Sequence, residues 1–142
     1  MNQLVNKAAG EIADRSKVEA LEDAIVQYLE PQEPETFHHF SQGLYCREMR
    51  MPKGMVLTGK VHKQDHIAML TNGRVAITTG GDQQILNSPV IIPSKAGVKR
   101  AILALEDAVF ITVHATELTD IDEIEAALVE EPRPHIVRES KQ

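Results

Sequence analysis

Gly54-Met-Val-Leu-Thr58-Gly-Lys60-Val-His62-Lys-Gln-Asp-His66-Ile-Ala-Met-Leu70-Thr-Asn72-Gly73 holds two apolar runs, Met55 to His62 and His66 to Leu70, too short for ordinary helices and bounded by turn formers. Runs of this length and composition read as strands. The polar break Lys63-Gln-Asp65 joins them, and Asn72-Gly73 closes the second with residues that tolerate positive φ. Between the outer glycines, Lys60, His62 and His66 fall at the spacing G-x5-K-x-H-x3-H-x6-G. Residues two apart on a strand share a face, so Lys60 and His62 are expected to project the same way.

Working outward, the same punctuation continues. Candidate strands are Leu44 to Met51, Met55 to His62, His66 to Leu70, Arg74 to Thr79, Gln84 to Leu86, Val90 to Ile92, Val98 to Leu105 and Ala108 to His114. Pro52-Lys-Gly54, Asn72-Gly73, Gly80-Gly-Asp82, Pro89, residues 93–97 and Glu106-Asp107 separate them. Short strands so divided specify a mostly β fold, an antiparallel barrel of the jelly-roll kind.

The flanks change period. Ser16-Lys-Val-Glu19 has the form of a capping box, and Val18, Leu21, Ile25 and Leu29 recur at helical spacing before Pro31; a further helix over about Gln3 to Asp14 is expected ahead of it. Thr119 or Asp120 can cap a C-terminal helix with Ile121, Ile124 and Leu128 on its apolar face, ended before Pro132 and Pro134. The chain thus divides into an N-terminal helical extension (1–36), a barrel (37–118), a C-terminal helix (119–131) and a loose tail (132–142).

With 142 residues, 42% of them apolar, the chain can bury one core and not two. The lone Cys46 excludes an internal disulfide framework and a multi-Cys zinc site, and reads as a small apolar filler. No apolar run is long enough to span a membrane, and the first residues lack a signal-peptide pattern, so a cytoplasmic location is expected. Net charge is −6, but its distribution is uneven: residues 1–43 carry −5, residues 119–142 carry −4, and residues 44–118 carry +3. An acidic whole excludes a broad nucleic-acid face, while a basic middle favours a small anionic ligand.

The 54–73 spacing resembles the first motif of a cupin barrel, in which the middle positions normally read His, His and Glu. Here they read Lys60, His62 and His66. The second cupin motif has its nearest match in Pro93-Ser-Lys-Ala-Gly97-Val-Lys-Arg100, with Arg100 where a histidine would stand. More specifically, residues 37–117 resemble small single-domain cupin-like proteins of bacteriophages and prophages. The matching blocks are Gly43-Leu-Tyr45-Cys-Arg47-Glu48-Met49, Gly59-Lys60-Val-His62-Lys63, Gly97-Val-Lys99-Arg100-Ala101 and Val113-His114-Ala-Thr-Glu117. This resemblance implies a double-stranded β-helix with a pocket, and carries no assigned reaction.

Two of the four usual ligand positions are thus cationic. An ammonium and a guanidinium repel a divalent ion, so the expectation is no metal, with His62, His66 and His114 as the weaker alternative set. If Lys60 and His62 face inward, Thr58 and Val56 share that face, and Arg100 faces in with Ile102 while Lys99 and Ala101 face out. On the last strand, His114, Thr112 and Phe110 alternate with Ile111 and Val113, and either face could be the inner one. A regular strand 44–51 places only one of Arg47 and Glu48 in the cavity. His38, His39 and His135 read as structural or surface residues.

Lys60 and Arg100 suit a phosphate or carboxylate, and His62 and His66, titrating near neutrality, suit general acid and base work. The leading expectation is metal-independent binding of a small anionic, nucleotide-derived ligand by Lys60, His62, His66, Arg100, Thr58, Arg47, Glu48 and His114. The phage resemblance extends this to sequestering a host signalling nucleotide, in the host cytoplasm, as counter-defence. The alternatives are a phosphodiesterase, lyase or isomerase using His62 and His66 with Tyr45 as proton donor, and a structural module that assembles as a homodimer or higher homo-oligomer.

Overall fold

A computed structural model of the chain describes residues 16–28, 33–78 and 83–130. The expected helix over 3–14, the Gly80-Gly-Asp82 turn, His135 and the tail 132–142 lie outside the described residues. Helix α1 (Ser16–Tyr28) is followed by β1 (Glu35–Ser41), β2 (Leu44–Met51), β3 (Val56–Thr58), β4 (His66–Asn72), β5 (Arg74–Thr78), β6 (Gln83–Asn87), β7 (Val90–Ser94), β8 (Ala101–Ala104), β9 (Ala108–Ala115) and α2 (Ile121–Leu128). The strands form two antiparallel sheets, ordered β1-β2-β9-β4-β7 and β3-β8-β5-β6. This is a jelly-roll sandwich, as the strand punctuation implied.

The core lies between the sheets. Met49, Met51, Ala68, Leu70, Val75, Ile77, Ile92, Ile102, Ala104, Ala108 and Phe110 form one buried cluster. Each strand reaches it by period-two alternation: β9 buries Ala108, Phe110, Thr112 and His114 and half-exposes the residues between. Asn72-Gly73 carries the chain from one sheet to the other instead of closing a hairpin. Gly73 has φ +85°, and a Cβ there would stand 2.2 Å from the Asp107 carbonyl oxygen. The position accepts only glycine.

Strand β1 was absent from the sequence expectation, which started the barrel at residue 37. It pairs antiparallel with β2 from Glu35↔Arg50 to Ser41↔Leu44. Its sheet is one strand wider than the opposite one, so β1 overhangs the sandwich and nearly all its side chains are exposed. Without a buried face it lacks the hydrophobic alternation that marks a strand in sequence.

The strand expected over Met55 to His62 is shorter. Ladder pairing ends at Thr58↔Ala101, and residues 59–65 form a loop in which His62 makes an isolated bridge to Val129. Alternation therefore cannot be carried back from His62 to Val56. Leu57 packs on the core, Val56 is exposed, and Val61 is buried. The segment before β8 also departs from the ladder: Lys99, expected outside, is only 6% exposed, and Ala101 is buried along with Ile102. Cys46, expected in the core, sits half-buried on the outer side of β2.

Candidate functional site

Three histidines meet at one end of the sandwich. His62 comes from the 59–65 loop, His66 opens β4, and His114 lies near the end of β9. Their ring centroids are 4.2 Å apart for His62 and His66, 4.9 Å for His62 and His114, and 4.9 Å for His66 and His114. The triangle is closed. β2 adds Tyr45, whose ring stacks 5.8 Å from His114, and Arg47. Parity on β2 is decided by the core: Tyr45, Met49 and Met51 are buried, so Arg47 between them faces inward.

The remaining wall comes from α2. Asp120 caps this helix, its side chain accepting from the Glu123 N–H. Ile124 and Leu128 bury their side chains in a cluster with Tyr45. The helix end is then tied to the histidine loop by backbone bonds, the Lys63 N–H donating to the Leu128 carbonyl at 2.8 Å and the Glu130 N–H to that of Val61 at 2.8 Å. The Lys63 ammonium donates to the Ala126 carbonyl. The pocket left between Tyr45, Arg47, His62, His114 and α2 has a volume of about 20 Å³, room for roughly one water molecule.

Burial dominates the electrostatics. It lowers the pKa of His62 to about 3, with the His66, His114, Arg47 and Arg100 charges acting in the same direction. It lowers His114 to about 4, assisted by His66 and Arg47. His66 is also lowered by burial, against the opposing hydrogen bond from its ring to the Gln64 carbonyl. That bond fixes the tautomer: a carbonyl only accepts, so Nδ1 carries the proton and Nε2 bears the lone pair. All three rings are neutral at neutral pH. The expectation that His62 titrates near neutrality is corrected, because that value belongs to a solvated imidazole, and burial displaces His66 in the same direction.

The expected site residues separate into two groups. His62, His66, His114, Tyr45 and Arg47 come together, and Arg100 lies near enough to depress His62 and His66 electrostatically. Lys60 does not join them. Its side chain is 39% exposed and its ammonium donates to Glu125 at 2.8 Å, on the rim of the pocket. Thr58 ends β3 on the face opposite Leu57, away from the core, and Glu48 lies on the outer face of its sheet, bound to His39 and Arg50. His38, read from sequence as a structural or surface residue, shares a 2.7 Å hydrogen bond with the Tyr45 hydroxyl. Its place opposite Arg47 could have been read only once β1 was known.

Two features define what the pocket can hold. Arg47 presents a buried Nε with no hydrogen-bond partner, a donor whose desolvation is uncompensated until an acceptor arrives. Among the described residues, no group of three His, Cys, Asp or Glu side chains is placed to hold a metal ion.

No protein-family model matches the chain, and no curated protein matches it. Among solved structures, KdgF from Halomonas sp. superimposes with a TM-score of 0.51 at 16% identity, over 67% of this chain and 90% of its own. A cupin 2 conserved barrel domain protein from Salinispora arenicola CNS-205 gives 0.51 at 10% identity, over 66% and 81%. The fold is that of a cupin. Identities this low carry the fold alone, and the chemistry of the cupin pocket has to be argued from its residues. Among the described residues no helix is long and apolar enough to cross a membrane.

Proposed function

We propose that this cupin pocket binds the anionic group of a small ligand without a metal, as a binder and not a catalyst. The observation that carries the reading is the buried, unpartnered Nε of Arg47, a side chain that lines a cavity together with His62, His114 and Tyr45. A phosphate or carboxylate oxygen supplies the missing acceptor, and Arg100 adds positive potential. Arg47 thus takes the place that sequence reading gave to Lys60.

The rival reading, acid and base catalysis by His62 and His66 with Tyr45 as donor, demands groups matched to neutral pH. A base whose conjugate acid has a pKa of about 3 accepts a proton weakly, and burial pushes the Tyr45 phenol up. Both shifts favour holding over reacting. On the resemblance to phage-encoded proteins, sequestering a host signalling nucleotide in the host cytoplasm is the role that suits such a binder. Self-association belongs to the same reading, supported by Ile67, 39% exposed, and Ile91, 54% exposed, on the outer face of the wider sheet.

Incubation with cyclic dinucleotides, ADP-ribose derivatives and nucleotide sugars, followed by denaturation and chromatography, tests the proposal. A binder returns its ligand intact, and Arg47→Met weakens retention by about tenfold or more, the worth of a hydrogen bond to a charged group. Product at turnover stoichiometry, abolished by His62→Ala, would refute the binding-only reading.

A further inference from the structure

The pocket is too small for a whole metabolite, so most of any ligand anchored at Arg47 must lie outside it. What lies outside is the inner face of β1. The opposite sheet is one strand narrower, so among the described residues no strand lies across from this face, which places His38 opposite Arg47 and Phe40 opposite Tyr45. Phe40 is 43% exposed although its ring stacks on Tyr45, with centroids 5.3 Å apart and an interplanar angle of 29°. His38 stacks on the same Tyr45 ring at 5.8 Å and 18°. Phe40, Tyr45 and His114 therefore form a continuous run of rings from the overhang into the pocket.

An exposed aromatic held this way has a use that an ordinary surface phenylalanine lacks. Its orientation is held by the Tyr45 ring beneath it, itself anchored by the hydrogen bond to His38, so little side-chain freedom is lost when a second ring stacks on it. The separation also matches. Phe40 lies two residues along β1 from the position opposite Arg47, about 7 Å, comparable to the reach from a nucleobase to its phosphate. Burial lowers the pKa of His38 as well, so this face offers flat neutral rings while the charge sits deeper, at Arg47.

We infer that the overhanging face of β1 is a nucleobase subsite, with Phe40 as the stacking platform and His38 as its flank, so that the ligand is a nucleotide whose phosphate places one oxygen in the Arg47 pocket. This rests on the anion-binding reading of that pocket. Stacking on one ring is sequence-tolerant, because every base has a π face. The subsite accordingly recognises nucleotides as a class and sets little preference among bases.

Calorimetric titration with AMP, ribose 5-phosphate and inorganic phosphate separates the two levels. AMP should bind at least about fivefold tighter than ribose 5-phosphate, and Phe40→Ala should abolish that margin, a loss of about 5- to 100-fold for AMP, while leaving ribose 5-phosphate unchanged. Phe40→Tyr, which keeps the ring, should restore it. If AMP and ribose 5-phosphate bind equally, the base subsite is refuted and the anion site stands. If none of the three binds, both fall. If Phe40→Ala instead dissociates an oligomer in sedimentation and leaves the AMP margin intact, the platform belongs to a second copy of the chain and the inference is overturned.

Discussion

Acidification should destabilise this protein at a pH where few proteins suffer, and the size of the effect follows from the histidine cluster. In the unfolded chain each ring titrates near 6.5; in the folded protein His62 falls to about 3 and His114 to about 4. A group that binds its proton more weakly when folded makes stability rise with pH between its two values and fall as pH drops through that window. At about pH 5 the unfolded rings are largely protonated, while both folded rings remain neutral. Each then costs about 2 kcal/mol, from 1.5 units at 1.36 kcal/mol per unit. Neither folded ring is charged there, so their mutual repulsion is not engaged and the two contributions add to about 4 kcal/mol, with His66 acting in the same direction. Lowered carboxylates obey the same rule, contributing stability above their unfolded pKa that is lost as pH falls through the folded one. The ordinary values of Glu48, 4.5, and Asp65, 3.8, already lie below about pH 5, and both are lowered further, so neither contributes much to this comparison. Urea unfolding followed by circular dichroism at about pH 7.5 and about pH 5 measures the difference. The double variant His62→Gln with His114→Gln should lose about 4 kcal/mol less than the natural chain on the same change. Stability equal at the two pH values to within about 1 kcal/mol would refute the picture of a buried, neutral triangle.

The same linkage makes anion binding tighten as pH falls towards the range in which the rings take up protons, since a bound anion favours imidazolium; titration with sulfate, which stays dianionic, should show affinity rising between about pH 5.5 and about pH 4, where His114 begins to titrate, and a flat profile over that range would count against His114 as a ligand neighbour. Gly73→Ala should destabilise by several kcal/mol in urea unfolding, because the added Cβ meets the Asp107 carbonyl oxygen and the Ala108 Cα at a positive φ. Asp120→Ala removes the cap of α2 and should cost about 1 kcal/mol, with Asp120→Asn recovering most of it. Glu125→Gln breaks an exposed ion pair and should change stability by less than about 1 kcal/mol. It should nevertheless strengthen sulfate binding, since it removes a carboxylate from the rim of the pocket.

The strands were legible wherever one face is buried. Leu44 to Met51 matches β2 residue for residue, because Tyr45, Met49 and Met51 alternate against Leu44, Glu48 and Arg50 in sequence as in space. β1 was not legible: Glu35 to Ser41 has no buried face and so no period. The parity of His114 could not be read from β9, since Phe110 and Thr112 on one side and Ile111 and Val113 on the other are similarly apolar. Only the opposite sheet decides it. Lys60 was misplaced for a different reason, the assumption that the ladder runs unbroken from Val56 to His62, whereas it ends at Thr58.

That early ending of β3 is what sets the character of the site. Had the strand continued through Gly59, Lys60 and His62 would share one inward face, and a mobile ammonium would sit among the imidazoles. As built, the 59–65 loop swings Lys60 outward to Glu125 and lets its backbone grip the end of α2. The helix then closes over the histidines and desolvates them, which holds all three neutral. The positive charge inside comes from Arg47, fixed on a strand by Met49 beside it and opposite His38. A planar donor held rigidly beside neutral rings selects an anionic group by geometry as well as by charge, and the overhanging face of β1 next to it is where the rest of such a ligand has room to lie.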